Sequence, residues 1–116
     1  MKGKIGDKQR PLHILYAITE MENYIRNTNF ESFNQTSMMR FATIKQIEII
    51  GEAANYISTE TKNKFTDIEW KQIIGMRHIL IHEYFGVDAA LIWQVVVSDI
   101  PELKTRIENI LKSFFE

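Results

Sequence analysis

Apolar residues recur along this chain three and four positions apart, and nowhere do they settle into the strict alternation of a half-buried strand. A 3.6-residue period puts such residues on one face of a helix, whereas a period of two puts them on one face of a sheet. Ile14, Ile18, Met21 and Ile25, with Leu15 beside them, form a first stripe; Pro11 suits its first turn, and the helix ends near Asn27 to Asn29. Phe41, Ile44, Ile47, Ile50 with Gly51, and Ala54 form a second, from about Met38 to Ile57. Gly51, Ala53 and Ala54 are small enough to admit a neighbouring helix at close range. Thr66-Asp67-Ile68-Glu69 fits a capping box and predicts a third long helix from Ile68 to about Phe85, stopped by Gly86. Asp88 is the N-cap of a fourth helix through Ala90, Ile92, Val95 and Val96. Asp99 and Pro101 make the cap and first turn of a fifth, carrying Leu103, Ile107, Ile110 and Leu111.

Between these elements, Asn29 to Ser37 reads as a polar loop with Phe30 and Phe33 folded inward, and Thr59 to Lys64 as a short helical turn. Met1 to Arg10 holds two glycines and four Lys or Arg, which predicts a loose tail. The Val95-Val96-Val97 run is β-prone in isolation but has no partner strand. The expected fold is all-α: an antiparallel four- to five-helix bundle, with residues 1–116 as one domain.

A chain of 116 residues buries a real core but not a deep private cavity as well. Its functional site is therefore expected in a surface cleft, or completed by a second subunit. The formal net charge of -1 excludes RNA binding by a global positive field; if nucleic acid is the substrate, a local patch must attract it. The absence of cysteine excludes disulfides, thiolate metal sites and cysteine nucleophiles. No leader pattern and no bilayer-length apolar run is found, so no membrane role is expected and the compartment is the cytoplasm.

The third helix carries an anomaly. With Arg77 at zero on a helical wheel, Ile73, Ile74, Leu80 and Ile81 fall within about 60° either side. Arg77 and Tyr84 thus sit in the middle of the apolar face, while His78 and His82 share another side with Lys71 and Gly75. A charge centred in an apolar stripe must be paired or must face a cleft. Three readings follow. Arg77 is a structural tie to Glu48 or Glu52 on the second helix, with Tyr84 as packing. Alternatively, His78 and His82, at i and i+4, bind a metal; yet the zinc-protease glutamate is missing, and His13 is the only other histidine. The third is phosphoryl-transfer chemistry, in which a histidine moves protons and an arginine holds the phosphate as charge builds. Five residues apart, Arg77 and His82 point about 140° away from each other on an ideal helix. They meet at one phosphate only if Arg77 reaches around, the helix distorts or a partner chain contributes, which points to a composite site.

The string Arg77-His-Ile-Leu-Ile-His82-Glu-Tyr84 has the form R-x4-H-x-Y and resembles the motif of the HepT-like family of the HEPN superfamily, minimal ribonuclease toxins. Ile47 to Ala54 resembles that family's second-helix signature, Trp70 to Arg77 its run-in and Tyr84 to Asp88 its run-out, so the likeness covers nearly the whole chain from Pro11 onward. The resemblance implies a helical bundle that dimerises through the motif helix around a shared cleft and cleaves RNA without metal ions or cofactors. It assigns Arg77 and His82 as the catalytic pair, His82 for acid/base work and Arg77 for phosphate binding. His78 and Glu52 become supporting residues, Glu52 as the second-helix partner of Arg77. Tyr84 matches the tyrosine to which the antitoxin MntA, a minimal nucleotidyltransferase, transfers AMP from ATP. Added phosphate beside Arg77 would occupy the guanidinium and repel RNA. The competing expectation is a non-catalytic helical adaptor that binds nucleotide or a nucleotidyltransferase partner.

Overall fold

The computed structural model describes residues 2–82 and 88–115, with side chains placed for 6–78, 80 and 88–115. Its elements are α1 (Lys2–Ile25), α2 (Phe30–Gln35), α3 (Ser37–Tyr56), α4 (Thr59–Lys64), α5 (Trp70–His82), α6 (Ala89–Gln94), a π-helical turn (Val95–Asp99) and α7 (Ile100–Phe115). No strand occurs among the described residues. The architecture is the expected all-α bundle.

α3 is the central helix, with α1 along one side and α5 along another, and α7 packs on α1. Antiparallel order is fixed at both ends of α1. Asp7 meets Ser58 just past α3, and Tyr24 accepts a hydrogen bond from Gln46 Nε2 (3.1 Å). Glu22 receives Lys104 Nζ (3.1 Å) from the start of α7. The stripes read from the sequence supply the core, with Ile14, Ile18, Met21, Ile44, Ile47, Ile50, Ala54, Ile107 and Ile110 all buried.

Four local expectations need correction. The N-terminal segment is helical rather than a loose tail. Asp7 is buried and its carboxylate accepts the Ser58 N–H (2.7 Å) and the Ser58 and Thr61 hydroxyls. This contact pins the segment to the first turn of α4. Pro11 consequently lies inside α1, where its missing N–H leaves the Asp7 carbonyl without its helical donor. The polar stretch after Asn29 is helix α2, capped by the Asn29 side chain accepting from Ser32 N–H (2.9 Å). Phe33 there is fully buried against Trp93 (5.2 Å between ring centroids), whereas Phe30, 6.3 Å from the same ring, is only partly covered (36% exposed).

The third correction concerns α5, which begins at Trp70, two residues later than the capping box implied. Ile68 is buried within the preceding turn, and Trp70 Nε1 donates to the Phe65 carbonyl (3.1 Å). Burial of these two side chains decides the entry angle over the Thr66 cap. Fourth, the last two helices form one rod. Asp88 caps α6 as expected, its side chain accepting from Ala90 N–H (2.9 Å). Asp99, however, is not a new cap, because the Ile100 N–H reaches back five residues to the Val95 carbonyl. This wide turn lies just ahead of Pro101, whose ring would otherwise press on the carbonyl four residues back. The expected end of the third helix at Phe85 and Gly86 lies outside the described residues.

Candidate functional site

The site begins with a glycine. A Cβ built on Gly51 of α3 would fall inside contact distance of Arg77 Cβ and lie 3.2 Å from its Cγ and Cδ. α5 therefore rests directly on the α3 backbone, and the aliphatic stem of Arg77 lies over the gap. The small residues of the second stripe serve this close approach, as their sizes suggested.

From that seat the guanidinium emerges at the surface, with Nη2 2.6 Å from Glu52 Oε2. The Arg77 side chain is 30% exposed and that of Glu52 49%. The charge at the centre of an apolar stripe thus has both a partner and an outlet to solvent. A pair so exposed contributes on the order of 1 kcal/mol or less, so its main effect is to orient the guanidinium. The tie goes to Glu52 and not to Glu48, the other carboxylate weighed from the sequence.

Arg77 opens onto a shallow cleft of about 370 Å³, formed by α1, α3 and α5 and lined by Arg10, His13, Lys45, Glu48, Ile49, Glu52, Ala53 and Arg77. The Arg10 guanidinium lies over the Tyr56 ring, 5.0 Å from its centroid. Three of these residues escaped attention in the sequence. From the sequence Arg10 reads as part of a tail and His13 only as a third metal ligand, and Lys45 carries no role. Their signal lay in the spacing: Arg10 and His13 stand i, i+3 on one face of α1, and Lys45, Glu48 and Glu52 share one face of α3.

The other expected site residues are not brought into this cleft among the described residues. His78 is exposed on α5 and absent from the cleft lining. α5 is uninterrupted α-helix from Arg77 to His82, so the Cα–Cβ directions of these two residues diverge by about 140°. Helix distortion therefore does not unite them within one subunit. The His82 side chain and all of Tyr84 lie outside the described residues, and nothing in the geometry places either. No group of three His, Asp or Glu side chains suited to a metal ion occurs among the described residues.

A second cleft, of about 270 Å³ and mostly apolar, runs between α5 and the α6–α7 rod, with Ile47, Ile73, Met76 and Leu91 in its lining. Its charged residues are Glu69, Asp99 and Glu102 against Arg106, which itself pairs with Glu102 and Asp67. The two clefts differ in charge: three permanent cations line the Arg77 cleft against Glu48 and Glu52, and carboxylates predominate in the other.

Comparison with known proteins agrees with this architecture. The family model described as "Ribonuclease HepT-like" matches residues 14–110. A Methanocaldococcus jannaschii protein named "Putative RNase MJ1380" is 40% identical over 98 residues, covering 81% of this chain and 90% of that protein. "Probable ribonuclease HepT" of Thermococcus cleftensis is 40% identical over 99 residues, covering 85% and 90% respectively. "Putative RNase TTE0752" of Caldanaerobacter subterraneus is 37% identical over 100 residues, covering 86% and 89%. No solved structure matches the chain. The matched region runs from the first core residue of α1, Ile14, through the motif helix to Ile110 of α7, so it takes in the whole described bundle core; this chain belongs to the Ribonuclease HepT-like family.

Proposed function

We propose that this protein is the toxin of a toxin–antitoxin pair: an endoribonuclease that needs no metal ion, acts as a homodimer and is silenced by AMP transfer to Tyr84. The observation that carries the reading is an exposed, oriented Arg77 guanidinium, set on a glycine seat, in a member of a ribonuclease family. Such a group can take a phosphodiester by exchanging part of its contact with Glu52.

The reaction is an internal transesterification. His82 takes the proton of a ribose 2′-hydroxyl, and the 2′-oxygen attacks the adjacent phosphorus. The bond from phosphorus to the 5′-oxygen breaks, and that oxygen leaves with a proton returned by an acid. A 2′,3′-cyclic phosphate and a 5′-hydroxyl result, and Arg77 stabilises the added charge on the phosphorane. The 140° divergence of Arg77 and His82 favours a composite site, in which Arg77 of one subunit works with the partner subunit's His82. The antitoxin is a MntA-like nucleotidyltransferase, and its phosphate on Tyr84 would compete with RNA for Arg77.

Purified protein should degrade RNA in EDTA, and His82→Ala should not; cleavage unchanged in that variant sinks the assignment. Intact mass after co-expression with the nucleotidyltransferase and ATP should rise by whole AMP units in wild type and not in Tyr84→Phe. The adaptor reading draws on the contact of Arg77 with Gly51 and Glu52, which suits a structural role equally well. It predicts an Arg77→Ala variant that melts early and a wild type without RNA turnover. A folded Arg77→Ala protein that has lost only cleavage decides for the nuclease.

A further inference from the structure

The Arg77 cleft holds more positive charge than the motif accounts for. Arg10 and His13 enter from α1 and Lys45 from α3, so three elements distant in sequence converge beside the Arg77 guanidinium. Against them stand two carboxylates, and one of these, Glu52, is already held by Arg77. A chain of net charge -1 gains nothing from its overall field toward a polyanion. Concentrating cations here, while acids gather in the other cleft, creates a local attraction that the overall balance conceals.

The form of the cluster also matters. The Arg10 guanidinium lies over the Tyr56 ring, a cation–π contact that helps hold the charge in place at the cleft. Tyr56 is itself 57% exposed. An arginine held over a part-exposed aromatic ring offers single-stranded RNA a cation for its phosphate, and the uncovered part of the ring can stack a base. His13 is exposed and adds a ring N–H donor, and the exposed Lys45 adds a mobile point charge. The cleft is open and shallow, suited to a strand lying along it and not to a small molecule enclosed by it.

We propose that Arg10, His13 and Lys45 form a second phosphate subsite, which holds the RNA phosphodiester next to the one engaged by Arg77. The subsite rests on the nuclease reading for its place beside a scissile bond, but its affinity for RNA is measurable without cleavage. The residues bind the strand and do not take part in the proton transfers. They set how strongly RNA is held and how steeply that grip depends on salt.

The test is fluorescence polarisation with a labelled single-stranded 2′-O-methyl RNA, which has no 2′-hydroxyl to attack, titrated with full-length protein at several KCl concentrations. Arg10→Gln/Lys45→Gln should weaken binding by roughly tenfold, and the slope of log affinity on log salt should become shallower by about 1.4 for two lost phosphate contacts. Arg10→Lys/Lys45→Arg, which keeps both charges, should recover most of the affinity, and Lys112→Gln on α7 should bind like wild type. Thermal melts exclude misfolding of α1 as the cause. A double Gln variant with wild-type affinity and slope overturns the subsite, as does a wild type that fails to bind. Wild type that binds this RNA yet leaves ordinary RNA uncut would sink the nuclease reading and leave the subsite standing.

Discussion

Two glycines on adjoining helices illustrate how much a single Cβ decides. At Gly51 an added methyl would strike the root of the Arg77 side chain, which cannot swing away as a flexible end could. Overpacking of this kind costs about 1–3 kcal/mol, more than the roughly 1 kcal/mol that alanine gains over glycine in a helix. Gly51→Ala should therefore lower stability in urea titrations and loosen the Arg77–Glu52 pair. At Gly75 of α5 an added Cβ would meet nothing within 4 Å. Gly75→Ala should raise stability by up to about 1 kcal/mol, the full helix-propensity gain. If the two variants move in the same direction, the close approach at Gly51 is not what the geometry implies. The sequence showed that Gly51 was small and lay in the apolar stripe, but not which residue would rest on it.

At the scale of elements, the join between α1 and α4 is polar and responsive to pH. Burial alone would raise the Asp7 pKa, but hydrogen bonds from Ser58 and Thr61, with the Lys62 charge nearby, outweigh it and hold the group below its usual 3.8. A carboxylate with a depressed folded pKa stabilises the protein above its unfolded value, and the contribution fades as pH falls through the folded value. The Asp7 contribution should accordingly be intact at pH 7 and begin to be lost only as pH falls below about 4. Asp7→Asn should cost about 1–3 kcal/mol at neutral pH, because an amide nitrogen would face donors that need an acceptor. The gap between variant and wild type should narrow in acid; a gap constant from pH 7 to pH 3 refutes the assignment.

The α6–α7 rod offers a second test at this scale. Deleting Val97 removes the extra residue of the π turn and brings Pro101 against an ordinary helical carbonyl, at a cost near 3 kcal/mol. Combining the deletion with Pro101→Ala should recover most of that loss in thermal melts. No recovery would mean that the wide turn serves something other than the proline.

For the whole molecule, the divergence of Arg77 from His82 leads to one expectation about assembly. Light scattering should give twice the 13.7 kDa chain mass in moderate salt. A monomer that still cleaved RNA at full rate would remove the need for a site shared between subunits.

Much of this protein was legible in its sequence. The three-and-four spacing fixes helices and their buried faces because apolar burial dominates folding free energy and a helix has only one period. The anomaly of Arg77 was visible for the same reason, as a charge where burial would be costly, and its tie to Glu52 is present. What the sequence could not decide were contacts made by polar groups far apart along the chain. Asp7 on the first turn of α4 and Arg10 on Tyr56 have no periodic signature, and the spacing that pairs Arg10 with His13 and Lys45 with Glu52 does not show that those two faces meet beside Arg77. A hydrogen bond or a cation's neighbour depends on distance and angle between particular atoms, and only the packing of α1 and α5 on α3 sets those.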